Sequence, residues 1–202
     1  MTFHQLAILL SGRGSNFIAI HEAIQRGDLK AEIGCVVSNV PEAAGLARAR
    51  DLGLTAISLP SRGIERAEYD RLLLETLRPC APDLVCLAGF MRVLSPVFLA
   101  EYRGRVLNIH PALLPSFPGL HAQRQALDYG VKVTGCTVHL VDEGVDTGPI
   151  LLQRAVPVLE GDTEESLSAR ILEQEHDLYW RAISLVLGRM GGGREERLSA
   201  GA

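Results

Sequence analysis

Apolar positions in this chain come in two alternating patterns. Short, unbroken apolar runs such as Leu6–Ser11 and Leu84–Leu87 read as strands buried on both faces of a parallel sheet. Between them the apolar residues recur at helical spacing. Read in order, the chain predicts a strand over Leu6–Ser11, a helix over Asn16–Gln25 and a strand over Ile33–Ser38. Pro41 and Glu42 open a second helix, which Gly53 stops. A short strand over Thr55–Leu59, a helix over Arg66–Leu77 and the strand Leu84–Leu87 come next. They are followed by a short helix over Ser95–Tyr102, the strand Val106–His110 and a helix over His121–Tyr129. Val133–Val141 and Ile150–Val156 read as long strands flanking an acidic turn, and Thr163–Leu187 as a closing helix capped by Thr163.

This alternation predicts an α/β protein: one mainly parallel, doubly wound, Rossmann-like sheet with right-handed crossovers and a long C-terminal helix. Residues 1–189 form the single expected domain, and 190–202 a flexible, Gly-rich tail. With 202 residues, 47% of them hydrophobic, the chain can bury a full core. A formal net charge of −4 gives no basis for binding nucleic acid or an anionic membrane. The four cysteines (Cys35, Cys80, Cys86, Cys136) show no CxxC pair and no metal spacing, and Cys35 and Cys86 sit in apolar runs as small core residues. That usage suits a reducing cytosol, and no leader or bilayer-length apolar run stands in the chain, so the expected location is cytoplasmic.

Candidate chemistry gathers at the carboxyl ends of three predicted strands, where ligands of such sheets bind. The fifth strand ends Asn108-Ile109-His110 and is stopped by Pro111. Alternate strand residues share a face, so Asn108 and His110 point together while Ile109 enters the core. An amide that can steady an oxyanion beside an imidazole that can carry a proton suits acyl transfer. The first strand ends in Ser11-Gly12-Arg13-Gly14-Ser15-Asn16, a turn whose glycines let the backbone approach an anion. It is no dinucleotide fingerprint, because Phe17 holds the third glycine position and Ser38-Asn39 replaces the ribose-binding acid. A phosphomonoester fits better; the plain alternative is a turn that only packs helix on strand. The fourth strand ends in Gly89-Phe90-Met91-Arg92.

Glu175 falls inside the apolar stripe Leu167, Ile171, Leu178, Ala182, Leu185 of the last helix. A carboxylate there needs a partner, a ligand or a route to water, and helical geometry alone does not choose between them. His139, between Val138 and Leu140, reads as structural or as support to a neighbouring group. The histidines and carboxylates lack the ligand spacing of a zinc site, so no metal is expected. No Gly-x-Ser-x-Gly elbow supports serine catalysis.

Taken together, these motifs resemble the folate-dependent phosphoribosylglycinamide formyltransferases, from Leu6 to about Val186. The markers are Ser11–Asn16, Leu87–Arg92, Asn108-Ile109-His110-Pro111 with Leu113-Leu114-Pro115, Asp142–Pro149, and Gln174-Glu175-His176. The resemblance implies transfer of formyl from 10-formyltetrahydrofolate, a co-substrate, to the glycine amine of glycinamide ribonucleotide in purine biosynthesis. It implies Asn108, His110 and Asp146 around the formyl group. It implies Gly14, Ser15 and Asn16 on the ribonucleotide phosphate, with Leu172, Glu173, Gln174 and Glu175 on the rest of that substrate. Arg66, Met91, Arg92, Val93, Leu94, Asn108, Asp142, Glu143, Gly144, Val145 and Asp146 would line the folate pocket. Expected partners are these small molecules, and a homodimer is left open. The alternatives are a formyl-folate hydrolase, a transferase for another amine, a methionyl-tRNA formyltransferase and a non-enzymatic folate-binding module. The tRNA enzyme should carry an added basic domain. The hydrolase has no use for a phosphate loop, and the binding module none for the Asn108–His110–Asp146 set.

Overall fold

The computed structural model describes the backbone of residues 3–199 and the side chains of 3–190. Seven strands form one sheet in the order β3-β2-β1-β4-β5-β6-β7. They are β1 (His4–Leu10), β2 (Ala31–Ser38), β3 (Ala56–Ser58), β4 (Leu84–Leu87), β5 (Val106–His110), β6 (Val133–Leu140) and β7 (Ile150–Pro157). The first five run parallel; β6 lies antiparallel to β5, and β7 to β6. The strand order therefore reverses at β1: the chain leaves it towards β2 and β3 and returns on its other side at β4. A crevice opens at such a point beyond the carboxyl ends of the strands.

The helices are α1 (Ser15–Gln25), α2 (Ala44–Asp51), α3 (Arg66–Leu77), α4 (Pro96–Glu101), α5 (Ala122–Tyr129) and α6 (Glu164–Ser199). Strand alternation sorts the core into two layers. Leu6, Ile8, Val36, Leu107, Ile109 and Val138 face Phe17, Leu46, Ile171 and Tyr179 from α1, α2 and α6. Ala7, Leu9, Val37, Val85 and Val106 face Tyr69, Leu73, Leu77 and Phe98 from α3 and α4. The fully buried Tyr179 hydroxyl donates to the Leu87 and Leu107 carbonyls at 2.9 and 3.1 Å, tying α6 to the ends of β4 and β5.

Most boundaries fall within two residues of the sequence reading, and two differ by more. Pro41 and Glu42 do not open α2; they belong to a turn in which the Ala43 amide donates to the Val40 carbonyl, and the helix starts at Ala44. The last helix continues beyond Leu187 to Ser199. The side chains of 191–199 and all of 200–202 lie outside the described residues, and with them the expectation of a loose tail over 190–202. At its start the Thr163 cap is present: the Ser166 amide donates to Thr163 Oγ1, and the Thr163 amide donates to Ser166 Oγ.

Candidate active site

The carboxyl ends of β1, β4 and β5 meet in one place. The Ser11 amide donates to the Gly89 carbonyl at 2.9 Å, and the Met91 amide donates to Ser11 Oγ at 2.8 Å. These bonds hold the segment after β4 over the end of β1. That segment walls a cavity of about 440 Å³ with Phe90, Met91, Arg92, Val93 and Leu94. The turn between β6 and β7 supplies the opposite wall through Asp142, Gly144, Val145 and Asp146. Asp142 Oδ1 accepts from the Gly144 amide and from Thr147 Oγ1, which folds the turn on itself. Gly148 is required there, since a Cβ would stand 1.8 Å from the Leu140 carbonyl oxygen.

Asn108, His110, His139 and Asp146 form the polar floor of this mostly apolar cavity. The shared face read from the Asn-x-His alternation is found: Asn108 and His110 line the cavity, while Ile109 packs in the α1/α6 layer. Asp146 is the hub. Its Oδ2 lies 3.2 Å from His110 Nδ1 and accepts from the Gly119 amide at 2.8 Å. Its Oδ1 accepts from Asn108 Nδ2 at 3.3 Å and lies 3.4 Å from His139 Nε2. Burial works to raise the Asp146 carboxyl, but the His139 side chain, the Gly119 amide and the two histidines outweigh it and hold the group below the ordinary aspartate range. His110 Nε2 lies 2.8 Å from the Phe117 carbonyl oxygen. Both neighbours of the His110 ring are acceptors, so only the imidazolium satisfies the pair of them with donated protons.

His139, read from the sequence as structural or as support to a neighbouring group, stands beside Asn108 and Asp146. It is the cross-strand partner of Asn108, is 2% exposed, and its Nε2 lies 3.2 Å from Asn108 Nδ2. Alternation held the available signal: Cys136 and Val138 face the core, so Thr137 and His139 share the face of Asn108 and His110.

The turn after β1 builds a second polar patch. Gly14, at φ 72°, precedes α1, whose start has no side-chain cap, so its first amides face outward for an external acceptor. Asn16 and Glu175, 159 residues apart, are joined there: Asn16 Nδ2 donates to Glu175 Oε2 at 2.8 Å. Glu175 is 7% exposed, so it does not escape to water, and burial raises its carboxyl against the lowering effect of Asn16. Asn16 Oδ1 is buried without a protein partner. Of the neighbouring residues, Leu172 and Gln174 are half-buried and Glu173 is exposed.

Two expected pocket residues do not line the cavity. Arg66 is the exposed first residue of α3, and Glu143 is exposed at the tip of the acidic turn. Arg92 lies against the wall, its guanidinium 4.5 Å from the centre of the Tyr69 ring and bonded to the Ser61 and Ile64 carbonyls. Among the described residues no group of three or more His, Cys, Asp or Glu is placed to hold a metal ion, and no helix is long and apolar enough to cross a membrane.

A doubly wound sheet with an amide, an imidazole and a carboxylate at a cleft floor defines a class, and residues 4–183 match the sequence model of that class, the formyl transferases. The chain is 46% identical over 180 residues to the phosphoribosylglycinamide formyltransferase of Escherichia coli (strain K12), covering 89% of this chain and 85% of that protein. It is 47% identical over 186 residues to the trifunctional purine biosynthetic protein adenosine-3 of Drosophila melanogaster, which is 91% of this chain and 14% of that much longer one. The crystal structure of glycinamide ribonucleotide transformylase 1 from Symbiobacterium toebii superposes with a TM-score of 0.90 at 48% identity, covering 93% of this chain and 89% of that one. The chain belongs to the phosphoribosylglycinamide formyltransferase family of formyl transferases.

Proposed function

We propose that this protein transfers a formyl group from 10-formyltetrahydrofolate to the glycine amine of glycinamide ribonucleotide, a step of purine biosynthesis. The observation that carries this reading is the Asn108–His110–Asp146 cluster at the floor of the 440 Å³ cavity. The cavity suits the folate: its volume is that of a small-molecule site, and its walls are apolar with polar groups confined to one end. Met91, Val93, Leu94 and Val145 pack against the ring system, and Arg92 and Asp142 stand at the cavity wall. Arg66 and Glu143, exposed and outside the lining, reach a bound folate only at its outer end. The ribonucleotide phosphate sits on the amides of Gly14, Ser15 and Asn16. Glu175 accepts from the ribose, and Asn16 Oδ1 meets a second donor; Leu172, Glu173 and Gln174 border this end.

Bound folate supplies the formyl carbon. As the amine adds, negative charge grows on the formyl oxygen, and Asn108 Nδ2 donates to it. Donation there is worth ~10²–10³-fold in rate, and proton transfer by a positioned imidazole ~10²–10⁴-fold. His110 in its imidazolium form, oriented by Asp146, releases the Phe117 carbonyl and delivers the Nε2 proton to the departing nitrogen, and the neutral ring then takes up the proton that the attacking nitrogen sheds. Asp146 fixes the ring through Nδ1 and stays ionised, since its carboxyl lies below the usual range. The residues require no metal. The four cysteines stand as thiols, consistent with a cytoplasmic enzyme.

The test is formyl-folate consumption with and without glycinamide ribonucleotide. Turnover should require the ribonucleotide. Equal turnover in its absence would make water the acceptor and the chain a hydrolase, and activity restricted to a different amine would move the assignment to that substrate.

A further inference from the structure

The sequence contains no paired-cysteine motif, yet the fold brings two cysteines together. Cys35 lies within β2, and Cys80 ends the 3-10 turn Arg78–Cys80 that follows α3. They are 45 residues apart in sequence, and their Sγ atoms are 2.6 Å apart. Gly34 allows the approach, since a Cβ at that position would meet Cys80 Cβ at 3.1 Å. The remaining thiols, Cys86 and Cys136, are fully buried.

We infer that Cys35 and Cys80 form a reversible dithiol–disulfide site that reacts with low-molecular-weight disulfides. Cys80 is partly exposed and Cys35 is fully buried, which orders the reaction. The Cys35 thiol donates towards Cys80 and holds it below the ordinary cysteine range, while the same contact and burial push Cys35 up. The Cys80 thiolate attacks one sulfur of the small disulfide and expels one small thiol, leaving a mixed disulfide on Cys80. Cys35 then gives up its proton and attacks Cys80 Sγ, which expels the second small thiol. The protein loses two protons and two electrons; the small disulfide gains both and leaves as two thiols. The new bond ties β2 to the end of α3. Cys80 precedes β4, whereas the cavity begins at Leu87 at the far end of that strand, so the tie does not cross the cavity.

The experiment is incubation of the native protein with oxidised glutathione, quenching by alkylation and peptide mapping without reduction. The expected product links Cys35 to Cys80 and leaves Cys86 and Cys136 as thiols. The thermal midpoint should rise by roughly 5–10 °C, because the bond constrains the unfolded chain, and dithiothreitol should reverse the rise. Turnover should stay within about two-fold of the reduced protein, as the tie leaves the cavity groups in place. Cys35→Ala should stop at a mixed disulfide retaining one glutathione on Cys80, and Cys80→Ala should retain none. The inference is overturned if wild type keeps glutathione on Cys80 without linking, if linkage needs denaturant, or if another cysteine reacts first.

Discussion

Glu175→Gln separates the two demands placed on one buried carboxylate. Glu175 is 7% exposed and takes one side-chain hydrogen bond, from Asn16 at 2.8 Å. Burial raises its carboxyl, so its contribution to stability is complete below the unfolded glutamate value of about 4.3 and is lost as pH rises through the raised folded value. Glutamine keeps the oxygen that Asn16 donates to, nearly the same volume, and no charge to desolvate. The unliganded variant should therefore be more stable than wild type at neutral pH by about 1 kcal/mol, or roughly 2–4 °C for a chain of this size. Its stability should also lack the decline that wild type shows between acid and neutral pH. Ribonucleotide binding should move the other way. Losing a charged acceptor costs about 1.5–3 kcal/mol, or ~10–150-fold in dissociation constant. At a ribonucleotide concentration well above both constants, wild type then gains about 1.5–3 kcal/mol more from binding than the variant. The order of the two melting temperatures should reverse on adding ribonucleotide. Thermal shift with and without ribonucleotide, with folate affinity as the control, reads this directly. A variant that melts below wild type without ligand, or one that binds ribonucleotide unchanged, refutes the reasoning.

Asn108→Ala and His110→Ala should each lower turnover by ~10²–10³-fold in protein that remains folded, and the double variant should lose less than the product of the two. Near-normal turnover in either folded single variant defeats the assignment. Asp146 contributes stability that is present above the unfolded aspartate value of about 3.9 and lost as pH falls through its lower folded value. Asp146→Asn should remove that acid-range slope in urea titrations and reduce turnover; an unchanged slope would show the carboxylate is not engaged by its neighbours. Gly14→Ala should cost on the order of 1–3 kcal/mol, since Gly14 sits at φ 72° with a built Cβ 2.9 Å from Gly45 Cα. Gly12→Ala, with nothing within 4 Å of its Cβ, should melt like wild type and affect only ribonucleotide binding. Equal losses of stability in the two would rule out the turn geometry.

The parts of the fold that were legible in the sequence were those encoded locally. Unbroken apolar runs gave the parallel strands, and period-two alternation placed Asn108 and His110 on one face and Ile109 on the other. Proline and glycine marked most boundaries; Pro41 misled because a proline that begins a turn and one that begins a helix look alike until the Val40–Ala43 bond is seen. The site was less legible where it depends on pairing between distant segments. His139 joins the floor only through the β5–β6 register, and the intruding charge of Glu175 was visible in the helix stripe while its partner Asn16, 159 residues away, was not. Asp146 entered through family resemblance, because nothing local says that an acidic turn folds back over two histidines. Arg66 and Glu143 entered in the same way, and motif identity does not encode whether a side chain at a helix start or a turn tip folds inward.

Two carboxylates of this protein differ in how fully their surroundings supply them with donors. Asp146 has donors on both oxygens from the protein itself: the Gly119 amide, the Asn108 amide and two imidazoles. Its charge is stabilised before any substrate arrives, so it can hold the His110 ring in a fixed orientation. Glu175 lies deeper and has a single side-chain donor among the described residues, and burial moves its carboxyl up instead of down. A carboxylate supplied with so few donors is a stronger acceptor for incoming hydroxyls than one already ringed by them. In the proposed reaction the fully supplied carboxylate therefore stands at the reacting end, where preorganisation sets the rate. The under-supplied one belongs where the substrate is recognised, because a ligand that brings its own donors is favoured there over one that lacks them.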